Sequence, residues 1–132
     1  MGGLPLELAE QLPADSAAHR KPVFGLAADA EIMSAVQGTG RECTVLIGME
    51  TDVCVLHSAV GLREAGFRVV VIRDAVQSPG DAHEFGLDRL RQLGIELVST
   101  KGLFYEWLRT VDAAHEFESE HPDLEPPEGI IL

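Results

Sequence analysis

Residues 45–48 (VLIG) and 69–72 (VVVI) are short, apolar at every position and rich in β-branched side chains. A strand with one face in water alternates apolar and polar residues. An unbroken apolar run suits a strand of a parallel sheet covered on both faces. A third run, residues 95–100 (IELVST), follows the second, and stretches of helical spacing lie between and after them. These helices are expected from about 52 to 65, ended by Gly66, from about 82 to 93, stopped by Gly94, and from about 102 to 110. Pro79, Gly80 and Asp81 read as a turn and a cap before the second of them. The order β-α-β-α-β-α with short connections makes the class α/β: a three-layer α/β/α domain with a mainly parallel, Rossmann-like sheet and right-handed crossovers.

Upstream the pattern is weaker. Leu4, Leu6, Leu8 and Leu12 suggest a short helix ended by Pro13, and residues 21–26 (KPVFGL) a short strand or extended turn, since Lys21 precedes proline. Asp29 can cap a helix through Ile32, Met33 and Val36 that residues 38–40 (GTG) stop. The 132 residues suit one domain, expected over 1–110. From 111 to 132 runs an acidic tail, with seven carboxylates and no Lys or Arg between 112 and 128, expected to be solvated.

With a net charge of −12, nucleic acid is not an expected partner, because its phosphates would be repelled. There is no run of 18 apolar residues and no signal-peptide pattern, so a cytoplasmic protein without a membrane span is expected. The two cysteines and five scattered histidines lack metal-ligand spacing, and residues 48–53 (GMETDV) lack the glycines of a dinucleotide site. No metal and no cofactor are expected.

In an open α/β sheet, ligands bind beyond the C-terminal ends of the strands. That rule marks residues 48–54, 74–78 and 99–101, and Cys54 lies in the first group. A thiol in the first turn of a helix meets the positive end of the helix dipole and unpaired N–H groups, both of which favour a thiolate. The same N–H groups can hold an oxyanion. On local pattern alone the commoner reading is Thr51 or Asp52 as an N-cap with Cys54 as a small buried residue, and His57, on the same helix face, as a packed or exposed ring rather than a base.

Residues 46–78 (LIGMETDVCVLHSAVGLREAGFRVVVIRDAVQS), followed by 83–100 (HEFGLDRLRQLGIELVST), resemble the isochorismatase-like cysteine hydrolases. The likeness covers about residues 21–108 and is most specific at 48–55 and 74–78. It implies Cys54 as nucleophile and Lys21 as the cation beside the thiolate. It also implies a cis peptide between Met49 and Glu50, and an oxyanion hole formed by the backbone N–H groups of Glu50 and Cys54. Family members carry a further catalytic aspartate on an N-terminal strand, and nicotinamidase-type members carry metal ligands in that half. Nothing before Lys21 fits either, and neither Asp15 nor Asp29 follows an apolar strand. The resemblance thus implies an N-terminally shortened hydrolase of a small amide or related acyl substrate, slow for want of that aspartate. The alternative is an inactive member serving as an oligomeric or interaction unit. With the first strand absent, residues 44–48 present an apolar edge, for which a homo-oligomer or a covering N-terminal segment is expected.

Overall fold

The valines at 69–72 set the middle of the sheet. In the computed structural model, which describes residues 5–14, 16–122 and 124, they belong to strand β2 (Arg68–Gln77). β2 pairs in parallel with β1 (Cys43–Met49) on one side and with β3 (Glu96–Val98) on the other, so the order is β1-β2-β3. Successive side chains of a strand point to opposite faces, so β2 divides the core in two.

Val69, Val71 and Val76 pack with Met33 of α2 (Ala30–Gly38), with Leu56, Ala59 and Leu62 of α3 (Leu56–Glu64), and with Leu87 and Leu90 of α4 (Ala82–Gln92). On the other face Val70 and Ile72 pack with Leu103 of α5 (Thr100–Leu108). The three-layer α/β/α arrangement follows from this division. Asp29 caps α2 by accepting from the amides of Glu31 and Ile32 at 3.0 and 3.1 Å.

The structure departs from the sequence expectations at four places. Residues 45–48 are apolar throughout, yet only one face of β1 is covered. Leu46 packs against the larger core cluster, whereas Val45, Ile47 and Met49 are 38%, 67% and 64% exposed. The short helix expected near the N-terminus is present as α1 (Leu6–Ala9), with Leu4 outside the described residues, but Leu6 and Leu12 are exposed rather than packed as a cover. β3 stops at Val98, because the Ser99 hydroxyl accepts from the Gly102 amide at 3.0 Å and starts α5 at once. The segment expected to be solvated tail begins with a helix, α6 (Val111–Glu120), capped by Thr110 and held to α5 by Phe117 against Phe104, ring centroids 5.3 Å apart. Aromatic residues spaced among the carboxylates give α6 a packing face that the charge density obscures.

Candidate active site at the C-terminal ends of the strands

The pairing of β1 with β2 shifts register between Leu46 and Gly48, and Gly48 takes φ 111°, a conformation open to glycine and strained for other residues. The next peptide bond, Met49–Glu50, is cis. Residues Thr51–Val55 then form one π-helical turn, in which the Val55 amide donates to the Glu50 carbonyl at 2.9 Å, before α3 begins at Leu56. Cys54 sits in this turn as a half-buried free thiol at the head of α3, the end whose dipole favours negative charge.

Neither Thr51 nor Asp52 is an N-cap. Their side chains reach to other elements. The wholly buried Thr51 hydroxyl lies 2.9 Å from His83 Nδ1 on α4. The Asp52 carboxylate accepts from the Ser78 hydroxyl at 2.6 Å, and the same hydroxyl accepts from the Asp52 amide at 3.4 Å. Ser78 stands just past β2 and is also wholly buried. α4 comes so close that a Cβ on Gly86 would lie 2.8 Å from the Asp52 nitrogen and 2.9 Å from its Cα.

A second bond ties β2 to the end of β3. Asp74 accepts from the Thr100 amide at 2.8 Å and from its hydroxyl at 3.0 Å. Partial burial pushes the Asp74 carboxyl up, but the Thr100 amide and hydroxyl outweigh this and hold it below the ordinary carboxylate value. All three groups of residues that the strand-end rule marks are therefore joined by side chains.

Lys21 lies in the loop before a 3₁₀ turn at Leu26–Ala28, and its ammonium donates to the carbonyls of Val23 and Phe24. That loop is fastened to α3. The Leu26 amide donates to the Ser58 hydroxyl at 3.1 Å, Phe24 meets the His57 ring, and Gly25 lies against the His57 backbone with no room for a Cβ. The fold thus places Met49 at the end of β1, Glu50 just before the π turn and Cys54 within it, and brings Lys21's loop to the neighbouring start of α3, with the ammonium bonded within its own loop. A groove of about 530 Å³ between this loop, α3 and α4 is lined by His57, Val60 and Arg89 but not by Cys54. The groove follows the outer helices, while the thiol lies at the strand ends, where the polar bonds converge.

The sequence marked Asp52 and Ser78 by their place at the strand ends, with Asp52 as a candidate N-cap, but showed neither the bond between them nor a role for His83. Two signals could have found them: a serine directly after a buried strand, and a histidine in the first turn of the helix that follows. Among the described residues no group of three His, Cys, Asp or Glu side chains could hold a metal ion.

Residues 5–102 match the isochorismatase domain. Isochorismatase family protein 2A of Dictyostelium discoideum is 39% identical over 89 residues, which is 67% of this chain and 40% of that protein. Among solved structures, the ycaC gene product of Escherichia coli is described as an octameric hydrolase of unknown specificity. It superposes with a TM-score of 0.76 at 28% identity, over 92% of this chain and 63% of that one. The nicotinamidase PncA of Bacillus subtilis gives a TM-score of 0.63 at 25% identity, over 72% of this chain and 54% of that one. This chain spans less than two thirds of the length of each of these relatives.

Proposed function

The chain belongs to the isochorismatase family, and we propose that within it this protein is a cysteine-dependent hydrolase of a small amide or related acyl substrate, with Cys54 as the nucleophile. The observation that carries the reading is the place of Cys54, in a turn at the C-terminal end of a parallel strand and at the head of a helix. The similarity to a nicotinamidase, an amide hydrolase by its name, favours the amide class.

In this reading the thiolate attacks the substrate carbonyl and a carbon–sulfur bond forms. The carbonyl electrons move to oxygen, which the N–H groups of Glu50 and Cys54 hold, and Lys21, from the loop fastened to the start of α3, is the candidate cation for the sulfur. Collapse of the tetrahedral intermediate breaks the carbon–nitrogen bond. The departing nitrogen takes a proton and leaves as ammonia or an amine. Water then cleaves the thioester, releasing the acid and restoring the thiol.

Proton transfer in both halves calls for a carboxylate. Asp29 is engaged in capping α2, and Asp15 lies outside the described residues. We propose slow turnover, lower by a factor of roughly 10²–10⁴ than with a positioned acid–base group. The test is ammonia release from a panel of small amides by purified protein and by its Cys54→Ala variant. Slow release that disappears in the variant is expected, and equal rates in the two proteins overturn the reading.

The uncovered face of β1 favours a second property. Val45, Ile47 and Met49 are exposed side by side on an edge strand, and such edges pair or aggregate unless covered. A homo-oligomer is therefore expected, in line with the octamer described for the E. coli relative. Light scattering on the purified chain tests it. An assembly without any Cys54-dependent release would instead identify the chain as an oligomeric unit lacking catalysis.

A further inference from the structure

The turn that holds Cys54 has no side-chain cap at its start, since Glu50 makes none. What fixes it comes from elsewhere. Thr51 is held from α4 by His83, and Asp52 is held from the end of β2 by Ser78. The Ser78 bond is the more constraining of the two. Its hydroxyl both donates to the Asp52 carboxylate and accepts from the Asp52 amide, so it grips side chain and backbone of one residue together. A fully buried hydroxyl is costly to keep unless its bonds are made. Here the bonds converge on a residue two positions before the thiol. A π turn is also wider than an α turn and is frequently found at functional sites.

We propose that Ser78, acting through Asp52, is a positioning residue that sets the direction of the Cys54 thiol and amide. The proposal rests on Cys54 being the nucleophile. Ser78 touches no substrate in this scheme. It holds the turn at the spacing from which the thiol attacks, and displacement of a reacting group by about 1 Å is enough to slow a reaction by up to 10²-fold.

The test measures iodoacetamide labelling of Cys54 relative to Cys43 by mass spectrometry, at one fixed pH. Cys43 is exposed, opens β1 at its far end and serves as the reference within each molecule. In the unaltered protein Cys54 is expected to label faster. If it does not, the assignment of Cys54 as nucleophile fails, and the proposal falls with it. If Cys54 is fast, Ser78→Ala is expected to lower the ratio roughly ten- to a hundredfold, and Ser78→Thr, which keeps the hydroxyl, to restore most of it. An unchanged ratio in Ser78→Ala overturns the proposal alone and leaves the nucleophile in place. A ratio equally low in Ser78→Thr also overturns it, because space rather than the hydroxyl would then be what matters.

Should Ser78→Ala fail to fold, which circular dichroism would register, Asp52→Ala opens the same clamp from a half-buried position. Loss of the Asp52 charge would by itself favour the thiolate, so a lower ratio in that variant is a positional effect, whereas an unchanged or raised ratio overturns the proposal.

Discussion

The two ends of the parallel sheet are tied by different chemistry. At the C-terminal end the links are short bonds involving buried hydroxyls: Thr51 to His83 and Ser78 to Asp52, with Asp74 to Thr100 beside them. At the N-terminal end β2 is tied to β3 by a two-pronged ion pair. There Arg68 donates to both carboxylate oxygens of Glu96 at 2.8 and 3.0 Å, and the two side chains are 56% and 40% exposed. Exposed ion pairs are screened and contribute little to stability. Buried hydrogen bonds resist water and define direction. The end built to hold a geometry is the one that carries the thiol.

The largest effect is expected where α4 touches the turn. Gly86→Ala would drive a Cβ into the Asp52 backbone, and backbone cannot yield as the tip of a side chain can. A loss of about 1–3 kcal/mol in urea unfolding is expected. A neutral result would show that the turn is not held by this approach.

Thr51→Val comes next. It keeps the shape of a wholly buried residue and removes the partner of His83. A loss of about 1 kcal/mol is expected in the same assay.

The smallest effects concern charge, and salt should separate the two ends. The Glu96 carboxyl is held below its ordinary value by the hydrogen bond from Arg68, and that of Asp74 by Thr100 against the opposing effect of burial. A carboxyl lowered in the folded state adds stability that is fully present above its unfolded value. That stability is lost as pH falls through the folded value. Both contributions therefore fade on acidification from the ordinary values of 4.5 for Glu and 3.8 for Asp downward. Asp74→Asn and Glu96→Gln should each flatten the acid limb of the melting temperature against pH. High salt should remove most of the difference for Glu96→Gln and less of that for Asp74→Asn, whose hydrogen-bond partners are an uncharged amide and hydroxyl, with the Arg73 charge a smaller contribution. Equal salt sensitivity would erase the contrast between the ends.

Much of this architecture was legible in the sequence. The apolar run at 69–72 identifies a doubly covered strand because both faces of β2 are buried. The run at 45–48 looks alike in sequence yet lies on the edge, a place expected from the resemblance to a family whose first strand precedes it and not from the run itself, because cover is supplied by other elements. Asp29 read correctly as a cap, since the capped helix starts at the next residue. Thr51 and Asp52 did not, because the residues they bond, His83 and Ser78, are separated from them by 32 and 26 positions. Helix α6 was hidden because carboxylates dominate its composition while Ala114 and Phe117 do its packing.

The central claim is that Cys54 is the acyl acceptor. Its most direct test is the mass of the intact protein after brief exposure to a reactive aryl ester, followed by peptide mapping. A single acyl group on the Cys54 peptide is predicted, persisting because the water step is slow, and absent from the Cys54→Ala variant. Acylation of Cys43 instead, or equal acylation of the variant, would contradict the account.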